Sequence, residues 1–120
     1  MLPSPCARYG KYGEDLVTNY FLRQGYAVLG RNLRCRYGEI DLLVQDRDLV
    51  VCVEVKTRKK IPCEVWPKAQ QERLRKAAMV FFDRYDLLGY SCRFDLITVW
   101  KVGEKWILRH QKNVLVFDDF

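Results

Sequence analysis

GEIDLLVQDRDLVVCVEVKTR, residues 38–58, is the stretch whose reading decides the fold. Two largely apolar runs, Glu39 to Val44 and Leu49 to Thr57, flank Gln45-Asp46-Arg47-Asp48, the pattern of a β-hairpin. A two-residue turn at Arg47-Asp48 pairs Asp46 with Leu49 and, counting away from the turn, Asp41 with Glu54 and Glu39 with Lys56. Opposed residues share a face about 5 Å apart, so Glu39, Asp41, Glu54 and Lys56 cluster on one surface. The other face carries Ile40, Leu42, Val44, Val51, Val53 and Val55, all apolar. A slip of one residue would turn the charges into the core. Arg-Asp is not a favoured pair for so tight a turn, so the face assignment rests on the charge pattern rather than on the turn.

Working outward, Leu16, Val17, Tyr20 and Phe21 recur at helical spacing between Glu14 and Gln24, and Gly25 supplies a stop. A strand follows from Tyr26 to Asn32. Beyond the hairpin, a basic loop containing Pro62 leads into a helix from Pro67 to Tyr85, with Leu74, Ala77, Ala78, Phe81 and Tyr85 on one face. Gly89 then precedes strands from Cys92 to Trp100 and from Trp106 to Gln111. The order αβββαββ predicts a single α/β domain over residues 1–120, a mixed central sheet flanked by helices.

With 49% hydrophobic and 30% charged residues, the composition is that of an ordinary globular domain. No apolar run approaches the roughly 18 residues a membrane helix needs. The start, MLPSPCARYGKYGE, lacks the apolar segment of a secretory signal, so a cytoplasmic location is expected. Five cysteines without a C-x-x-C pair, and a single histidine, His110, argue against a disulfide framework and a zinc site. Cys52 and Cys92 lie in apolar runs, where Cys acts as a small hydrophobe. The net charge of +6 is unevenly spread. Arg23, Arg31, Arg34 and Arg36 precede the acidic cluster, Lys56, Arg58, Lys59 and Lys60 follow it, and Lys68, Arg73, Arg75 and Lys76 continue the trend. Such a pattern suits a polyanion and equally describes a solvated basic face.

Three carboxylates on one face repel one another. A divalent cation offsets that cost, since Mg²⁺ takes one or two carboxylates and keeps waters for a phosphate to displace. Lys56, two residues beyond Glu54, points the same way and suits an attacking water or the charge developing on phosphate. A surface salt-bridge ladder of Glu39 with Lys56 and nearby arginines fits the same spacing, and spacing alone leaves both readings open. Trp66, Trp100 and Trp106 suit packing better than base stacking, Arg93 and Asp95 suit a structural ion pair, and His110 a surface or edge position. There is no P-loop, dinucleotide fingerprint or Ser-His-Asp arrangement.

The segments GEDLVTNYFLRQGYAVLGRNLRCRYGEIDLL, VVCVEVKTR and RFDLITVW resemble the YraN-type (UPF0102) family of uncharacterised bacterial proteins, over nearly the whole chain from Tyr9 to the last strand. That family is similar to the restriction-endonuclease-like PD-(D/E)xK superfamily, and to archaeal Holliday-junction resolvases in particular. The resemblance implies a three-layer nuclease core and an Mg²⁺- or Mn²⁺-dependent endonuclease acting on DNA, with branched recombination or repair intermediates as substrates and a homodimer as the assembly. It implies that Asp41 and Glu54 ligate the metal with the Val55 carbonyl, and that Lys56 is the catalytic lysine. Glu14 matches an acid on the first helix that approaches the site; a carboxylate in the first helical turn, favourable with the helix dipole, is the alternative. Glu39 is either a supporting acid or the partner of Lys56. Relatives usually carry a lysine where this chain has Gln70, which shares the inward phase of Leu74, and the loop from Thr57 to Glu64 is shorter than usual. Arg34, Arg36, Arg58, Lys59, Lys60 and Lys68 are the expected backbone-gripping residues. A non-catalytic nucleic-acid-binding module and a protein-interaction domain are the alternative functions.

Overall fold

The computed structural model describes residues 5–58 and 68–115, with side chains from Gly10 onward. The elements are α1 (Pro5–Arg23), β1 (Ala27–Cys35), β2 (Gly38–Asp46), β3 (Leu49–Arg58), α2 (Lys68–Arg84), β4 (Ser91–Val102) and β5 (Lys105–Gln111), in the expected order. They form one mixed sheet in the order β1-β2-β3-β4-β5, antiparallel except for the parallel pair β3 and β4 that α2 connects. The turn at Arg47 and Asp48 closes as expected, with Arg47 at φ 57°, and Asp46 faces Leu49.

Alternation along the strands sorts the core into two clusters on opposite faces. Val17 and Phe21 of α1 are fully buried against Leu42, Val44, Val51, Val53, Ile97 and Val99. Fully burying a side chain such as Phe21 contributes about 2–3 kcal/mol. On the other face Leu74, Ala77, Ala78, Phe81 and Phe82 of α2 cover Leu43, Val50 and Cys52. Two expected positions move. Tyr85 is exposed and Phe82 takes its place inward, because the helix ends at Arg84. Ile40 packs beneath α2 rather than with Leu42. Its β1 partner is Leu33, which packs against the same cluster and lies next to Asn32 at φ 51°.

Helix α1 begins at Pro5, well before the expected start at Glu14, since proline is compatible with a first turn that lacks apolar periodicity. It stops where Gly25 adopts φ 91° and Tyr26 N–H bonds back to the Phe21 carbonyl (3.1 Å). Gly13 lies so close to β3 that a methyl group there would run into the Thr57 side chain. Gly13→Ala is expected to lower stability by about 1–3 kcal/mol, as overpacking does, read as the midpoint of urea unfolding.

His110, expected at a surface or edge position, lies on the edge strand β5, with its side chain largely buried. Its Nε2 lies 2.7 Å from Asp95 Oδ2, and its Nδ1 lies 2.8 Å from the Tyr20 hydroxyl. Asp95, completely buried, also accepts two bonds from the Arg93 guanidinium (2.8 and 2.9 Å) and one from Asn113 N–H (3.0 Å), so the Arg93–Asp95 ion pair forms as expected. Burial pushes the Asp95 carboxyl up, but Arg93, Asn113 and His110 outweigh it and hold the group below its usual range. The network ties α1 to β4 and β5. Cys35, Cys52 and Cys92 are free thiols, and Cys52 is pushed well up by its hydrogen bond with Cys92 and by burial.

Candidate functional site

Strand β3 changes partners along its length. Its pairing with β2 reaches Leu42 opposite Val53, whereas its pairing with β4 continues to Arg58 opposite Trp100. Where β2 turns away, the Asp41 carboxylate replaces the missing strand and accepts the Val55 N–H through Oδ2 (2.8 Å). The N–H and C=O of one β-residue point to the same strand edge, so the Val55 carbonyl also faces this gap. Glu54 and Lys56 flank Val55 on the face that α2 covers, and Lys56 Nζ lies 3.2 Å from Glu54 Oε1. The two side chains keep only 14% and 22% of their exposure. Asp41, Glu54 and Glu39 line a cavity of about 290 Å³ with Tyr37 and Gly38 from the β1–β2 turn and Gln70, Arg73 and Leu74 from α2.

Glu39 does not pair with Lys56. It lies 3.3 Å from Arg34 Nε, because β2 stays with β1 here while β3 stays with β4. Of the salt-bridge ladder, the pairing of Glu39 with a nearby arginine forms and the pairing with Lys56 does not, Lys56 meeting Glu54 instead. Glu14 is mid-helix, which removes the first-turn alternative, and it reaches the cluster. With its amide turned to donate, Asn32 bonds Glu39 Oε1 (3.0 Å) and Glu14 Oε2 (3.3 Å), drawing the two acids together.

Crowding has the expected electrostatic effect. Asp41 is pushed from the usual carboxylate value to about 8, first by burial and next by the charge of Glu54, with Glu14 and Glu39 adding and the Val55 N–H opposing. Burial also raises Glu54, although Lys56 offsets part of that. Two carboxylates and a carbonyl around one gap suit a hard cation that retains several waters. Among the described residues no group of three or more His, Cys, Asp or Glu side chains is placed to hold a metal ion.

Gln70 faces the cavity as its phase predicted. Arg73, one turn further along α2, was legible only as part of a basic run, yet it lines the same cavity and makes no ion pair among the described residues. Arg34 is 81% exposed, Arg36 stacks on Tyr37, Lys68 opens α2 at the surface, and Arg58 bonds the Thr57 carbonyl. Lys59, Lys60, Trp66 and most of the loop from Thr57 to Glu64 lie outside the described residues. Trp100 is buried, and Trp106 packs against Tyr12. No helix among the described residues is long and apolar enough to cross a membrane.

Fold and site together define a small α/β protein with a recessed acid–lysine centre at a gap in its mixed sheet. The chain belongs to the uncharacterised protein family UPF0102, whose model matches residues 13–99. It is 40% identical over 103 residues to a UPF0102 protein of Herminiimonas arsenicoxydans, covering 82% of each chain. It is 34% identical over 110 residues to one of Caldanaerobacter subterraneus, covering 88% of this chain and 90% of the relative. A relative from Clostridium kluyveri is 39% identical over 94 residues, covering 75% and 77%.

Proposed function

We propose that this protein is an Mg²⁺- or Mn²⁺-dependent nuclease with a restriction-endonuclease-like core, hydrolysing phosphodiester bonds in DNA. The observation that carries the reading is the pairing of recessed Asp41 and Glu54 carboxylates with Lys56 where β2 and β3 separate. Asp41, Glu54 and the Val55 carbonyl would hold the cation. When bound, the cation neutralises phosphate charge and lowers the pKa of a coordinated water.

The chain's own groups supply the rest. Val55 N–H fixes one Asp41 oxygen, and the Asp41 carboxyl also hydrogen-bonds Glu54, which holds the two acids together at the gap. Lys56 donates to the attacking water and to charge developing on the phosphate. Arg73 restores, from the next turn of α2, a cation that Gln70 does not provide. Arg73→Gln is expected to weaken DNA binding about tenfold, in line with losing a charge-assisted hydrogen bond. It should also lower the salt slope by about one. Both are read by anisotropy titration at several salt concentrations. On this reading the protein works in the cytoplasm, and two chains pairing as a homodimer would allow both strands of a branched substrate to be cut.

The test is cleavage of labelled linear, flapped and four-way DNA with Mg²⁺ or Mn²⁺, comparing wild type with Asp41→Ala and Lys56→Ala. Metal-dependent cutting that both substitutions remove supports the nuclease. If no DNA is cut and both variants bind as wild type does, a non-catalytic binding module replaces it.

A further inference from the structure

Tyr37 sits in the turn between β1 and β2, where its half-buried ring forms one wall of the cavity above Asp41 and Glu54. Part of the ring rests on the apolar cluster beneath α2. Arg36 lies 4.7 Å from the ring centroid and also bonds the hydroxyl, and the Lys76 ammonium lies 5.7 Å away. Arg73 lines the same cavity from α2, together with Asp41 and Glu54, and Glu54 is largely removed from solvent. An aromatic ring among cations suits single-stranded nucleic acid, where cations track the backbone and bases stack on the ring. Bases inside a duplex are covered on both faces by their neighbours, and freeing one costs a few kcal/mol. A cavity of about 290 Å³ is at the small end of ligand pockets. It matches one nucleotide entering between the β1–β2 turn and α2 better than a continuous double helix.

Resting on the nuclease reading for its chemistry, we propose that the substrate is a single-stranded stretch of DNA, one of whose bases stacks on Tyr37 as its phosphate reaches Asp41 and Glu54. Unpaired flaps, frayed ends and gaps supply such a strand.

The experiment measures binding apart from cleavage, using the full chain carrying Lys56→Ala with Mg²⁺ present. Fluorescent oligo-dT and a blunt duplex of the same length are titrated against it. The single strand is expected to bind at least tenfold more tightly. Adding Tyr37→Leu, which keeps apolar packing but removes the ring, should weaken single-strand binding about tenfold, within what one stacked base contributes. Tyr37→Trp should retain the affinity, which separates stacking from a folding defect. Equal or tighter duplex binding, or full single-strand affinity in Tyr37→Leu, overturns the assignment. Single-strand preference in a protein whose wild type cuts no DNA would sustain this inference and remove the nuclease reading alone.

Discussion

Lys56→Met is expected to lower metal-dependent DNA cleavage about a thousandfold while leaving the fold and metal binding in place. Its ammonium lies 3.2 Å from Glu54 and is mostly shielded from solvent. Charges positioned in such surroundings act strongly on developing charge, and removing one positioned donor costs about 10²–10³ in rate. Loss of proton-transfer help to the water adds to this. Methionine keeps the length and apolar stem, so packing is retained. Without Lys56, the larger influence opposing burial at Glu54 disappears and only the Asp41 hydrogen bond still lowers it, so the Glu54 carboxyl should rise further. The metal-loaded variant should still melt higher than its metal-free form, because Asp41, Glu54 and Val55 remain. Lys56→Arg should not rescue activity, since a planar guanidinium does not replace a compact ammonium in a recessed site. A methionine variant cutting within tenfold of wild type would remove Lys56 from the chemistry. The measurement is single-turnover cleavage with a parallel thermal melt.

Much of this centre was legible because the hairpin is local. The charge pattern set the register of β2 against β3, and Leu42 does face Val53 as that register requires. What the pattern could not convey was where the strands part. The Asp41 side chain ends the ladder by taking the Val55 N–H, and so Glu39 meets Arg34 instead of Lys56. Asn32 carries the same lesson. A residue at positive φ in a strand leaves only a faint trace in sequence, through the tolerance of Asn for that conformation. Yet it bridges Glu14 to Glu39. His110 lies on an edge strand as one of its two expected positions had it, but its buried contacts could not be read, because its partners, Tyr20 and Asp95, come from distant elements that meet only in the folded sheet. Arg73 was hidden among neighbouring basic residues until α2 was docked and its phase relative to the cavity was known.

The unliganded site should also be a stability liability, which Asp41→Asn ought to relieve. In the folded chain Asp41 holds its proton up to about pH 8, whereas its ordinary value is 3.8. Between those values the folded state binds more protons than the unfolded state, so unfolding free energy falls as pH rises. The contribution is fully present below about pH 4 and lost once pH passes 8. With about 1.4 kcal/mol for each unit of pKa displacement, the window costs the metal-free fold on the order of 6 kcal/mol. Asparagine keeps an acceptor for the Val55 N–H and carries no charge to desolvate. Asp41→Asn in chelator is therefore expected to melt well above wild type at pH 9 and close to it at pH 4.5. Mg²⁺ should reverse the order, raising wild type at pH 9 while leaving the variant nearly unmoved, since a ligating carboxylate is gone. Metal binding below pH 8 should release a proton, because the ligand must be ionised. Thermal melts of both proteins at the two pH values, with chelator and with Mg²⁺, decide the matter. A wild type that grows more stable in chelator from pH 5 to 8, or an asparagine variant that Mg²⁺ stabilises as strongly, would mean that Asp41 is neither the strained acid nor the ligand. Stability sacrificed for a functional group is a common trade-off, and here the same crowding that weakens the empty fold would attract the cation.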